Sequence, residues 1–238
     1  MIYERRAYTF RPGGLEKFWS AQPVWNSDDV FGEIRAANIS YFQLDSTEVE
    51  RIVHLYRFDS LNAWRDTYER YYAAQNPEYF ALVRPTMLAQ ENAFLIAAPG
   101  REGLVKWADP TFTIRSLVGN APGNEDLGDV VVSEEELQLR PGGLPAYWQA
   151  YGELRFERDR STDSNLIAMH QALVGRLHRV FCYRWFRSLD AAKAFEEARR
   201  EDPVERAFKA AYRAFLETEA VSHLRPAPLE HLRALFGF

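Results

Sequence analysis

The sequence is poor in the features that announce most functions. It holds a single cysteine, Cys182, so no internal disulfide can form, and that residue sits in an apolar run where a small buried hydrophobe is the expected role. There is no long basic run and the net charge is −5. The electrostatic footprint of a nucleic-acid binder is therefore missing, and an anionic membrane surface is disfavoured for the same reason. No apolar run approaches the roughly 18 residues of a membrane span. The opening Met1-Ile2-Tyr3-Glu4-Arg5-Arg6 reads straight into a strand without the apolar core of an export signal, so a reducing cytoplasm is the expected location. Phosphate-cradling loops, a dinucleotide fingerprint, a nucleophile elbow and zinc-ligand spacing are all absent, and no cofactor or metal is expected.

What is present is a duplication. Arg11-Pro12-Gly13-Gly14-Leu15 recurs as Arg140-Pro141-Gly142-Gly143-Leu144, each copy between a strand-like run and an amphipathic segment. Reading across, Tyr56-Arg57-Phe58 pairs with Tyr183-Arg184-Trp185, Ser60-Leu61 with Ser188-Leu189, Asn76-Pro77 with Asp202-Pro203, and Glu91 with Glu219, at offsets that stay between 126 and 129 residues. So long a period excludes a solenoid and indicates one domain copied once. The expected domains are residues 1–98, a partly ordered connector 99–128, and residues 129–238 with a C-terminal tail.

Within the first copy, Ile2 to Phe10 alternates as a strand with Glu4, Arg6 and Tyr8 on one face, and Pro12-Gly13-Gly14 stops it. A helix carrying Leu15, Phe18, Trp19 and Gln22 follows, with Pro23 expected to end or distort it and Asn26 to Asp29 a loop. Strands are expected at about 37–44 and 51–58, joined by Asp45-Ser46-Thr47-Glu48. A helix capped by Ser60 comes next, then a helical turn opened by Asn76-Pro77, and a last strand at about 90–97. The order is β-α-β-β-α-β. In the connector, Thr111 to Arg115 alternates as an extra strand would.

Tyr3-Glu4-Arg5-Arg6 leading to Tyr8-Thr9, the Pro12-Gly13 turn, Val53-His54-Leu55-Tyr56, Asp59-Ser60-Leu61, and Arg84-Pro85 followed by Gln90-Glu91-Asn92 resemble the NIPSNAP family, over most of residues 1–98. The second copy resembles it through its Arg-Pro-Gly-Gly-Leu turn, Tyr183-Arg184-Trp185, Ser188-Leu189 and Glu219. It is the more diverged, with Phe181 read in the place of the histidine and Ser133-Glu134-Glu135 for Glu-Arg-Arg. The resemblance implies an α+β fold in which two tandem ferredoxin-like units pack sheet to sheet as an intrachain pseudo-dimeric α+β barrel. It implies no agreed catalytic residues. Related barrels include cofactor-independent monooxygenases, an analogy of fold alone. A sheet with helices on one face leaves the other bare, and a second copy is a natural cover.

The candidate chemistry gathers in the first copy. Alternation sets His54 among Ile52, Tyr56 and Phe58, where a histidine can shuttle a proton or serve as a satisfied core residue. Glu4 and Arg6 share a strand face, and buried charges must be paired. A pocket of Arg6, Tyr41, His54, Tyr56 and Glu91 is expected, with Arg6, Tyr41 and Tyr56 binding substrate and His54 or Glu91 moving a proton. A structural ion-pair network is the competing reading. His170 and His178, flanking a turn at Gly175, lack a third ligand and read as a solvated hairpin rather than a metal pair; His223 and His231 read as a packing tail. The dense aromatics from Trp64 to Phe80 read as core at helical spacing, or as a cleft lining.

The function these features imply is the binding of a small aromatic or carbonyl metabolite, with cofactor-independent chemistry as its active form. The alternative is a non-catalytic interaction or scaffold module with a large exposed apolar patch. A homodimer of the two-domain chain is compatible with either.

Overall fold

The computed structural model describes all residues except 26–29, 47, 75–76, 119–126, 162–163 and 238. The chain forms two compact units, Met1–Phe94 with Pro226–Phe238, and Leu95–Arg225. The tail that the repeat assigns to the second half thus groups with the first: Ala227 N–H donates to the Tyr41 carbonyl at 3.0 Å and Phe236 meets Phe42 with ring centroids 6.0 Å apart.

Unit 1 runs β1 (Ile2–Phe10), α1 (Gly14–Trp25), α2 (Val30–Ala37), β2 (Asn38–Leu44), β3 (Arg51–Phe58), α3 (Leu61–Ala74), α4 (Pro77–Val83) and β4 (Met87–Ala97), whose last residues pass into unit 2. Its antiparallel sheet has the order β4-β1-β3-β2, that of a ferredoxin-like unit. Four strand expectations are met within a few residues. The helical steps are less simple than expected, because α2 intervenes before β2 and α1 continues past Pro23 to Trp25. The Asn26 to Asp29 loop and the Asn76 cap lie outside the described residues. Ser60 caps α3 as its side chain predicts, accepting from Ala63 N–H at 3.1 Å.

Unit 2 repeats the plan with β5 (Val131–Leu139), α6 (Gly143–Leu154), α7 (Phe156–Asp159), β6 (Leu166–Val174), β7 (Arg179–Phe186), α8 (Leu189–Glu201), α9 (Pro203–Tyr212) and β8 (Leu216–Pro226), in sheet order β8-β5-β7-β6. The connector contributes α5 (Ile114–Val118), where a strand was expected over Thr111 to Arg115. Thr113 wins locally by capping: its Oγ1 accepts from Ser116 N–H at 3.2 Å. Trp107, also in the connector, is buried and donates Nε1–H to His170 Nε2 at 3.1 Å. Burial takes the His170 imidazole down to about 3, so it is a neutral core residue.

The repeated turn is explained by its two glycines separately. Gly13 and Gly142 have φ of 75° and 88°, the left-handed region that side chains disfavour. Gly14 and Gly143 are instead points of close approach: a Cβ on Gly143 would stand 2.7 Å from Phe215 Cβ and 3.0 Å from Leu139 Cβ. In unit 1 the corner is further held by Glu50, whose carboxylate accepts from Gly13 N–H at 2.6 Å and Leu15 N–H at 2.7 Å at the start of α1. Gly142→Ala should cost about 1 kcal/mol through backbone strain alone, and Gly143→Ala about 1–3 kcal/mol through overpacking. Urea unfolding midpoints of the two variants check that order.

Candidate functional site

The site is built on β1, β3 and β2. The register pairs Arg6 with His54 and Tyr41 with His54, so these three residues form one row across three strands, and Glu4 stands opposite Tyr56 on the same face. Period-two alternation turns that face towards the helices. There it meets tyrosines of α3 and α4 to enclose a cavity of ≈ 100 Å³ lined by Arg6, Tyr8, Tyr41, His54, Tyr56, Tyr68, Tyr71, Tyr72 and Tyr79, among others. Seven of the chain's 12 tyrosines line it. Its rim includes the exposed Tyr72, Arg84 and Gln90.

Glu4 is fully buried and well satisfied. It accepts from Arg6 Nε at 2.8 Å, from Trp64 Nε1 at 2.9 Å and from Asn92 Nδ2 at 3.3 Å. Arg6 is thereby fixed with its guanidinium 4.3 Å from the Tyr68 ring centroid. His54 places Nδ1 3.2 Å from the Tyr56 hydroxyl, which is 2.5 Å from the Tyr41 hydroxyl. Burial, with the Arg6 cation beside it, holds the His54 imidazole well below its ordinary value, so the ring is neutral at pH 7. Burial raises the Tyr41, Tyr56 and Tyr68 phenols well above theirs. Two buried polar atoms among these lining residues have no hydrogen-bond partner, His54 Nε2 and Tyr68 Oη.

Four of the five expected pocket residues, Arg6, Tyr41, His54 and Tyr56, line this cavity together. Glu91 does not. Asn92 reaches Glu4 and Phe94 meets Trp64, so alternation along β4 turns Glu91 to the opposite face, and Gln90 lines the rim in its stead. Tyr68, Tyr71, Tyr72 and Tyr79 belong to the aromatic run for which the sequence leaves core and cleft lining both open, and they line the cavity. The signal that could have singled them out is a polar hydroxyl on nearly every ring of a helix pair facing a strand that carries Arg and His.

Unit 2 corrects two sequence equivalences by one residue. Glu135 pairs with Cys182 in the register where Arg6 pairs with His54, so Cys182, not Phe181, stands in the histidine's place, and Arg184, not Tyr183, in that of Tyr56. Likewise β4 and β8 both span eleven residues from Met87 and Leu216, which matches Glu219 with Gln90 rather than with Glu91. A one-residue slip exchanges the faces of a strand. Cys182 is buried and burial raises its thiol, an inert setting.

The equivalent place in unit 2 is hollow too, but ionic. A cavity of ≈ 430 Å³ is lined by Glu135, Glu196, Arg199, Arg200 and Glu205 at the positions of Arg6, Tyr68, Tyr71, Tyr72 and Tyr79, with Lys209 and Glu219 beyond them. Its floor is cross-linked. Arg199 binds Glu135 at 2.9 Å and Glu205 at 3.0 Å, Arg155 lies 3.2 Å from both Glu205 and Asp159, and Arg184 donates to both Asp159 oxygens at 2.9 Å. On the rim of the same groove, Glu196 meets His223 Nε2 at 2.8 Å, so His223 belongs to this charged array and not to a tail. Among the described residues no cluster of potential metal ligands occurs, and no helix is long and apolar enough to cross a membrane.

Whole-chain comparison with solved structures shows the fold. A candidate monooxygenase of Fusobacterium nucleatum is 8% identical at a TM-score of 0.59, over 94% of this chain and 91% of that one. A candidate monooxygenase of Lactobacillus acidophilus NCFM is 9% identical at 0.55, over 94% and 92%. The chain has the α+β barrel fold. The NIPSNAP family model matches residues 134–229 of the chain. A NIPSNAP family protein of Agrobacterium tumefaciens is 23% identical over 44% of this chain and 91% of that one, at a TM-score of 0.39. No curated protein matches the sequence. The family match thus falls on the half read from the sequence as the more diverged.

Glu135 ties the ionic floor to stability. Its 6% exposure and its Arg199 partner accompany a carboxyl held at about 2 against an ordinary 4.5. A depressed folded value stabilises above the unfolded one and is lost as pH falls towards 2, a contribution of about 3 kcal/mol at neutral pH. Glu135→Gln should lower stability at pH 7 by about that amount, and the gap to wild type should close between pH 4.5 and 2, read by denaturant titrations at each pH.

Proposed function

We propose that unit 1 binds a small molecule carrying a phenolic or carbonyl oxygen in the tyrosine-lined cavity over β1, β2 and β3. One observation carries this reading: the same place in the two halves has diverged in opposite directions. In unit 2 the buried charges that line the cavity are paired with one another, and the unpartnered atoms of Arg155, Arg184 and Tyr212 belong to residues outside its lining. In unit 1 the polar groups converge on a small space and leave His54 Nε2 and Tyr68 Oη without partners while both residues are only 3% exposed. Buried polar atoms are normally satisfied, and two orphans on one cavity are what a ligand's oxygen would satisfy.

The size of the cavity narrows the ligand. It is smaller than the roughly 150 Å³ engineered cavity that admits benzene, so only the oxygen-bearing end of an aromatic, or a short carbonyl compound, fits inside, with any remainder at the rim of Tyr72, Arg84 and Gln90. The likeness to proteins described as monooxygenases is one of fold and agrees with small-molecule work in such a barrel; it does not supply the reaction.

Phenol and short aldehydes or ketones should stabilise the wild-type chain, by about 2.7 kcal/mol at a hundredfold excess over Kd. Val83→Phe, which fills the cavity without touching its polar groups, should abolish that stabilisation, and Cys182→Ser should leave it intact. Thermal-shift and calorimetric titrations of the three proteins decide the matter. Equal stabilisation of Val83→Phe and wild type would sink this location for the ligand.

A further inference from the structure

The hydrogen bonds around His54 constrain more than the presence of a ligand. Each phenol has one proton to donate. With Tyr56 Oη 2.5 Å from Tyr41 Oη and 3.2 Å from His54 Nδ1, the chain can run from Tyr41 through Tyr56 into Nδ1. The hydrogen bond made by one ring nitrogen decides which nitrogen carries the proton. A donor at Nδ1 leaves the proton on Nε2, and the intrinsic preference of a neutral histidine for the Nε2–H form points the same way. The unpartnered nitrogen is then a donor. The unpartnered hydroxyl of Tyr68 also has a proton it can donate.

The charges facing the same space have one dominant sign. Arg6 from β1 and Arg84 beyond α4 both line the cavity. The nearest carboxylate, Glu4, does not line it, and its oxygens are taken by Arg6, Trp64 and Asn92. The remaining titratable groups there are phenols from β1, β2, β3, α3 and α4, all of them donors when neutral. Burial raises Tyr56 and Tyr68 here and the Arg6 cation opposes it; a ligand oxygen that in addition accepts from fixed donors is favoured as the anion.

We infer that the unit 1 cavity is an oxyanion site: it takes a small phenol or enolisable carbonyl compound as its phenolate or enolate, with His54 Nε2–H and the Tyr68 hydroxyl as donors and the Tyr41–Tyr56 pair holding the His54 tautomer. This rests on the cavity being the ligand site and deepens that reading by stating the ligand's ionisation. On binding, the O–H bond of the phenol, or a C–H bond next to the carbonyl, breaks. The electron pair stays on the ligand, the proton passes to bulk water at the rim, and nothing is oxidised or reduced. Tyr41 and Tyr56 are positioning residues, acting through His54.

The test is a spectroscopic titration of the full chain with 4-nitrophenol, whose phenolate absorbs in the visible and whose neutral form does not, at a pH one unit below its solution pKa. Wild type should bind it as the phenolate, so that the visible band grows on adding protein. Tyr56→Phe should weaken phenolate binding about tenfold, the effect of losing one orienting contact to a charge-bearing site, and Tyr68→Phe should do the same by removing a donor. Tyr212→Phe, in unit 2 and outside the lining of this cavity, should not. Melting curves of each variant show that it is folded. Binding detected by calorimetry with the ligand remaining neutral would overturn the oxyanion inference and leave the small-molecule reading standing. Absence of calorimetric binding by 4-nitrophenol, phenol and short carbonyl compounds alike would overturn both.

Discussion

The buried Glu4 carboxylate is the constraint on which unit 1 depends. A carboxylate without exposure must have its lone pairs met, and Arg6, Trp64 and Asn92 meet them from its own strand, from α3 and from β4. The three contacts bind the helix layer to the sheet and fix where the guanidinium of Arg6 lies. From that position the cation adds to burial in keeping His54 neutral and sits against the tyrosines of the cavity. The ion-pair network and the pocket, competing readings of the same residues, are therefore both present: the pair is structural, and it sets the electrostatics of the space beside it.

Duplication let one cavity become two kinds of space. The glycine corners, the Ser60 and Ser188 caps and the strand order are common to both units, because they are backbone requirements that any copy must satisfy. Side chains facing the cavity have no such requirement. Tyr68, Tyr71, Tyr72 and Tyr79 are matched by Glu196, Arg199, Arg200 and Glu205. The first set builds a tight, aromatic, hydroxyl-bearing space. The second builds a wider charged one whose deepest groups neutralise one another, and it lies in the half that the family model matches.

Much of the architecture was legible because it is written in short-range rules. Alternation located β1 and β3 to the residue, and the repeated Pro-Gly-Gly turn marked both corners. That Glu4 shares a face with Arg6, and His54 with Tyr56, follows from period two; that the two pairs share one face is set by the register. The failures have equally specific causes. The match of His54 with Phe181 came from aligning Tyr-Arg with Tyr-Arg, an attractive identity one residue out of register, which only the pairing of Glu135 with Cys182 exposes. Glu91 was chosen for its charge, although its strand neighbours Asn92 and Phe94 point into the site and it does not. In the partly ordered connector the alternation over Thr111 to Arg115 suggests an edge strand, while the structure has α5 there and Trp107 buried against His170.

By itself the sequence determined the repeat, the order of elements and which residues of a strand share a face, since these rest on backbone geometry and on spacing within a few residues. Tertiary structure alone decided that β4 presents Gln90 and not Glu91 to the rim, that α3 and α4 bring four tyrosines over His54, and that the unit 2 counterpart adjoins ion pairs that join α7 to β7 and α8 to α9. Those outcomes depend on which elements meet and in what register. No local rule carries that information, because the partners are separated by tens of residues and a shift of one residue reverses every side chain.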